Sequence, residues 1–292
     1  MTSIMPTELM LRPSVEPAER ISGIGRAADE SGPLRESIVG TARLSCLTLA
    51  TNGDAQSDGA CRLAFAVAEL LAVSINVLTV TEANGAHASP RLCLSVDRQM
   101  ERVRTSRVPN GLRCLHAGIA RDVIPLVVGG LRTDLLILGR TGDQGTTSLA
   151  VLRRTSVPVL CVDSAAVDRP RTILCAIDGT MASLRAAQLG VALLRDEPGT
   201  VICVHTRATH LDESIDIEER IRAMVRVSPS VTMTVVPWRD GATQPILDLA
   251  ISARVDVLTV GRRPESILND ASQDCLSAFF MRAAACSVLI AK

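Results

Sequence analysis

The sequence predicts an α/β protein made of two successive domains, each a five-stranded parallel sheet with helices on both faces. Three observations carry this reading. Short apolar runs alternate with longer stretches of helical spacing, the order that right-handed crossovers between parallel strands produce. The whole pattern is then written a second time. The core-forming residues are Val, Leu, Ile and Ala: 47% of the 292 residues are hydrophobic, only 1% are aromatic and none is Tyr. That composition suits sheets buried on both sides.

In order, residues 1–40 carry Pro, Glu, Ser and Gly without helical or strand period, and are expected to be a flexible N-terminal extension. Within them GIGRAA (Gly23 to Ala28) brushes against a dinucleotide pattern, but no strand precedes it. The first domain, 41–165, opens with the apolar run LSCLTLAT (Leu44 to Thr51), which stops at Asn52-Gly53. Helical spacing follows over Ser57 to Ala72, then the strand INVLTV (Ile75 to Val80). LRCLHAG (Leu112 to Gly118), LLILG (Leu135 to Gly139) and PVLCVD (Pro158 to Asp163) complete five strands, with helices around Arg98, Ile124 and Leu149. DRPRT (Asp168 to Thr172) reads as the linker. The second domain, 170–292, repeats the order with TILCAID (Thr172 to Asp178), a helix over Met181 to Arg195, TVICVH (Thr200 to His205), VTMTVVPWRDG (Val231 to Gly241), DVLTVG (Asp256 to Gly261) and SVLIAK (Ser287 to Lys292).

Bulk properties exclude several functions. With 31 basic and 31 acidic side chains there is no broad basic face for a nucleic acid, and so few aromatics offer no stacking platforms for single strands. No apolar run reaches membrane-spanning length, the longest (Leu63 to Val80) being interrupted by Glu69. MTSIMPTELMLRPSVEPAER has prolines and acids where a secretory signal needs an apolar segment, so a cytoplasmic protein is expected. The nine cysteines form no C-x-x-C pair and lie mostly inside apolar runs. They read as buried thiols acting as small hydrophobes, with redox sensing by one of them as the alternative.

The duplicated pattern, AIDGTMASLRAA (Ala176 to Ala187) and the glycine-rich stretch GRTGDQGTTS after Leu138 together resemble the universal stress protein family in its tandem form. The resemblance spans nearly everything from residue 41 onward. It implies two Rossmann-like (adenine nucleotide alpha hydrolase-like) domains with strand order 3-2-1-4-5, packed as an internal pseudo-dimer through their closing strands. Members that bind ATP place adenine near an Asp at the end of the first strand. Their phosphates lie over a loop of pattern G-x2-G-x9-G-[Ser/Thr]. The physics behind that loop is independent of the name. Ligands of open parallel sheets sit beyond the carboxyl ends of the strands where the order reverses. Glycines admit close backbone approach there, and helix N-terminal amides donate to a phosphate.

Both loops are worn. The first half keeps Gly139, Gly142, Gly145 and Thr146. Gly139 corresponds to Gly261 and Val159 to Val288, so seven residues are missing from its loop. Thr51 stands where the adenine-contacting Asp is expected. The second half keeps the spacing and Asp178-Gly179-Thr180, with Gly261 and Arg262 beside the expected phosphates, but Pro264, Asp274 and Cys275 replace Gly, Gly and Ser/Thr. Proline removes an amide donor, and a carboxylate repels a phosphate. An adenine nucleotide, ATP by the resemblance, is therefore expected in one domain at most, the second. The alternative is a ligand-free scaffold or protein-interaction module.

His205, His210, Asp212 and Glu213 follow a strand end without metal-like spacing, so no metal site is expected; His205 instead lines the mouth of the second cleft. His116 reads as a core or edge histidine. No nucleophile elbow, P-loop or H-E-x-x-H is present, and the shortened loop offers neither base nor metal carboxylates, so no catalysis is expected. PVLCVD and SVLIAK are apolar edge strands that need covering, and in a tandem chain they pair with each other. The expectation is two sheets meeting there, not one sheet running through all ten strands. Phe279, Phe280 and Met281 read as core and seam packing, or else as a patch for a partner such as a second copy of the chain.

Overall fold

Alternation of strand and helix places ten strands and six helices along the described chain. The computed structural model describes residues 42–52, 57–81, 111–140, 146–195, 197–206, 231–238, 243–262 and 276–292, with 97, 101, 219 and 223 as isolated positions; residues 37–292 form one compact unit. The N-terminal forty residues, the helix around Arg98, Gly142, Gly145, His210, Asp212, Glu213, Pro264, Asp274 and Cys275 lie outside the described residues.

The first half contains β1 (Cys46–Ala50), α1 (Asp58–Leu71), β2 (Ser74–Thr81), β3 (Arg113–Ala117), α2 (Ala120–Gly130), β4 (Leu135–Gly139), α3 (Thr146–Arg154) and β5 (Val159–Val162). The second contains β6 (Thr172–Ile177), α4 (Met181–Ala192), β7 (Gly199–Thr206), β8 (Val231–Trp238), α5 (Gln244–Ser252), β9 (Val257–Gly261), α6 (Leu276–Ala283) and β10 (Ser287–Ala291). Within each half all strand pairs are parallel, in the order β3-β2-β1-β4-β5 and β8-β7-β6-β9-β10. Both halves therefore have the 3-2-1-4-5 order.

Side chains alternate across the strands into two apolar layers. One face packs Leu47, Leu49, Ile75, Ile137, Ile173, Cys175 and Val257 under α1 and α4. The other packs Leu136, Leu138, Cys161, Leu174, Leu258 and Val288 under α2, α3, α5 and α6. Each layer is continuous through both halves.

The two halves meet where β10 runs antiparallel to β5, with Leu289 opposite Leu160. These two leucines occupy equivalent places in their repeats, so a pseudo-two-fold axis passes between them. The pairing makes one continuous ten-stranded sheet. That corrects the expectation of two sheets that merely meet. Two edge strands that each need main-chain partners satisfy one another only by hydrogen bonding, and hydrogen bonding joins the sheets. No helix among the described residues is long and apolar enough to cross a membrane.

Side chains from each half finish helices of the other. The last carbonyls of a helix lack partners within it, and its negative end favours a cation. Arg140, the residue after β4, donates from Nη1 to the carbonyls of Met281 (3.3 Å), Ala284 (2.6 Å) and Cys286 (3.4 Å) at the end of α6, while Nη2 pairs with Asp163. Arg262, the residue after β9, donates to the Leu152 carbonyl in α3 at 2.5 Å. On the opposite face Arg195 donates to the Leu70 carbonyl of α1 at 2.5 Å. Lys292 donates to the Thr155 carbonyl just past α3. Phe280 is fully buried, and Met281 takes a contact of 3.6 Å from the Cys161 thiol of the other half. These two side chains are core and seam.

Candidate functional site

The switch point of each half lies beyond the carboxyl ends of its first and fourth strands, β1 and β4 or β6 and β9. Strand register fixes which residues correspond. Leu47 pairs with Leu135, and Ile173 with Val257. Cys46 pairs with Ser74, and Thr172 with Thr200. Both registers make Leu47 the counterpart of Ile173, so five residues further on Asn52 corresponds to Asp178, and Thr51 to Ile177. The sequence reading that set Thr51 against the Asp is one residue out of step. Thr51 is a buried continuation of the strand, its amide donating to the Leu78 carbonyl at 3.0 Å. The dipeptides Asn52-Gly53 and Asp178-Gly179 carried the correct register; the apolar run ending in threonine obscured it.

In the second half the chain leaves β6 through a tight local network. Asp178 Oδ1 accepts from the Thr180 amide (3.1 Å) and hydroxyl (2.6 Å), across Gly179 at φ +81°. That left-handed turn suits glycine. Thr180 caps α4 by accepting from the Ser183 amide at 3.2 Å, a standard use of threonine at this position. Ser183 Oγ in turn accepts from the Asp178 amide at 3.3 Å and donates to the Thr180 carbonyl at 2.8 Å. Asp178, Gly179 and Thr180 are thus brought together at the cleft mouth. The first half has a simpler version, in which Ser57, the counterpart of Ser183, donates to Asn52 Oδ1 at 2.6 Å.

Gly261 sits directly against the first turn of α4. A Cβ there would lie 2.3 Å from the Ser183 amide nitrogen and 2.6 Å from its Cα. This close approach requires glycine at the strand end and places the α4 N-terminus beside the switch point. In the first half Gly139 ends β4, its carbonyl accepting from Ser148 Oγ at 3.3 Å, and Thr146 begins α3.

Arg262 was expected beside phosphates. It is 4% exposed, its amide donating to the Ala291 carbonyl (2.8 Å) and its guanidinium reaching Leu152 across the seam. Its counterpart Arg140 behaves alike, with its amide on the Val162 carbonyl at 2.8 Å. A Gly-Arg dipeptide at both strand ends was the available signal for this paired arrangement. His205, 2% exposed, stands near the end of β7 in register with Ile177, one residue before Asp178. His116 lies on the edge strand β3 and is exposed. Among the described residues, no three His, Cys, Asp or Glu side chains gather as a metal site would need.

A pair of equivalent aspartates supports the strands from the opposite end. Asp134 Oδ2 accepts from the Ser45 amide (2.7 Å), Ser45 hydroxyl (2.7 Å) and Cys46 amide (3.0 Å). Its counterpart Asp256 accepts from the amides of Arg171 (2.7 Å) and Thr172 (2.9 Å). Burial pushes the Asp134 carboxyl up, but the three hydrogen bonds and the Arg185 charge outweigh it and hold the group below its ordinary range. Both halves use this clamp to tie the fourth strand to the first.

No family model matches the sequence, and no curated protein matches it. Solved structures do match. A universal stress protein from Archaeoglobus fulgidus DSM 4304 superposes with a TM-score of 0.62 at 15% identity, covering 85% of this chain and 98% of its own. The chain has the universal stress protein fold, written twice. A candidate universal stress protein from Pseudomonas aeruginosa UCBPP-PA14 gives 0.59 at 17% identity, covering 86% and 94%. A functionally unknown protein from Pseudomonas aeruginosa PAO1 gives 0.58 at 16%, covering 85% and 92%. Each of these matches takes in both halves.

Proposed function

We propose that this chain is a tandem universal stress protein, a non-catalytic stress-response protein of the cytoplasm. Its domains are 41–165 and 170–292, and each is the other's partner across the terminal strands. Its two clefts are unequal: the second binds an adenine nucleotide, ATP by the resemblance, and the first has lost that capacity. The observation that carries this is Asp178, present at the switch point of the second half and replaced by Asn52 in the first. A carboxylate offers acceptors only, which suits the exocyclic amine of adenine. Asn52 has a single acceptor oxygen, which already accepts from Ser57, and its amide adds donors that do not complement the amine. The α4 N-terminus beside Gly261 supplies amide donors for a phosphate, and His205 closes the adenine end. In the first half the shortened loop after Gly139 leaves little chain to wrap a phosphate.

A charge-assisted hydrogen bond contributes about 1.5–3 kcal/mol, so Asp178→Ala should weaken binding roughly 10- to 100-fold. Mass spectrometry of small molecules released when the freshly purified protein is denatured tests the reading directly. Recovery of an adenine nucleotide from the wild type, and its loss from Asp178→Ala, is expected. Release of nothing, with no thermal shift from any adenine nucleotide at millimolar concentration, would support the second reading, a ligand-free scaffold. The bond from the Arg262 guanidinium to the Leu152 carbonyl favours that alternative, because it draws this cation toward the seam.

A further inference from the structure

Cys175 on β6 and Cys203 on β7 are neighbours in the strand register. Neighbouring strands run about 4.8 Å apart, within the roughly 4.4–6.8 Å between Cα atoms that a disulfide spans. The two side chains point to the same face, into the apolar layer beneath α4, and are 0% and 2% exposed. Both are free thiols. The Cys203 thiol beside it holds the Cys175 thiol below its ordinary range, while Cys175 and burial together hold the Cys203 thiol well above its own. The other buried thiols differ. Burial pushes Cys161 up to about 12 and Cys286 up to about 11, and Cys161 stands opposite Val288 across the seam. The more exposed Cys46 and Cys114 stand in register with Ser74 and Leu78.

The geometry points to Cys175 and Cys203 as a reversible oxidation site for a small hydroperoxide, closing a cross-strand disulfide between β6 and β7. In the first step the Cys175 thiolate attacks the peroxide oxygen, the O–O bond breaks and a sulfenic acid forms. The leaving hydroxide or alkoxide takes the proton that the thiol gave up, leaving as water or alcohol. In the second, the Cys203 sulfur attacks the sulfenic sulfur, its proton joins the departing hydroxide as water, and the disulfide forms. Two thiols are oxidised and one peroxide is reduced. Because both thiols are buried, the oxidant enters through local opening of the strands.

The test requires no nucleotide and so stands apart from the reading above. The full chain is exposed to hydrogen peroxide, its remaining thiols are alkylated under denaturing conditions, and it is digested without reductant. The expected result is a mass loss of two hydrogens in the intact protein and a linked peptide joining Cys175 to Cys203, both reversed by dithiothreitol. In Cys203→Ala, Cys175 should stop at a sulfenic acid that dimedone traps. Cys175 and Cys203 remaining fully alkylatable while other cysteines oxidise would overturn the proposal, as would a linked peptide that joins a different pair. If Cys203→Ala does not fold, the map of the wild-type chain decides.

Discussion

Asp134 receives three hydrogen bonds on one oxygen, and this determines how its removal should behave. Asp134→Asn keeps an acceptor but loses the charge, so we expect about 1–2 kcal/mol of destabilisation at neutral pH, read as a lower urea midpoint. The folded pKa is depressed. Its contribution is therefore complete above the unfolded value of about 3.9 and disappears as pH falls through the lower folded value. Wild type and variant should converge as pH falls through that lower value; a gap unchanged with pH would contradict the charge argument. Gly261→Ala places a methyl against the backbone of Ser183, where neither partner is a flexible side chain. Overpacking of this kind costs about 1–3 kcal/mol, and a chain of this size loses roughly 2–4 °C of Tm per kcal/mol, so a scan should register several degrees. Individual residues were also where the sequence misled. Reading Thr51 against Asp178 followed the apolar pattern, and that pattern cannot tell a strand's last inward residue from the first residue of its exit turn.

Strands and helices were far more legible. All ten strands fall on the predicted segments. The inner ones, buried on both faces, write themselves as near-continuous Val, Leu and Ile, while the edge strand β3 is largely exposed. The predicted β1 extends past the observed one at both ends, over Leu44–Ser45 and Thr51, where hydrogen bonds to Asp134 and Leu78 replace the regular ladder. What the pattern could not show is that an arginine after a strand serves a helix from the other repeat. Contacts between positions more than a hundred residues apart leave no local period. The reciprocal pair Arg140 and Arg262 should behave as seam residues. Arg262→Met keeps the apolar stem but leaves the Leu152 carbonyl without this donor, costing about 1–3 kcal/mol without changing nucleotide affinity. Chemical denaturation alongside nucleotide titration checks both halves of that statement. An affinity that falls with Arg262→Met would return this arginine to the cleft.

At the scale of the whole molecule, duplication builds one sheet with two switch points and allows them to diverge. The architecture is held by features present in both halves, among them the aspartate clamp, the post-strand arginine and the pairing of Leu160 with Leu289. The clefts differ between the halves: Asn52 stands against Asp178, and the first-half loop is seven residues shorter. Selection on the fold and selection on the ligand thus act on separate residues, so one cleft can decay while the sheet stays intact. This asymmetry is the central claim, and isothermal titration of the full chain with ATP tests it most directly. The account predicts one site per chain, weakened in Asp178→Ala and unchanged in Asn52→Ala. Two equivalent sites, no site, or an affinity unchanged in Asp178→Ala would contradict it.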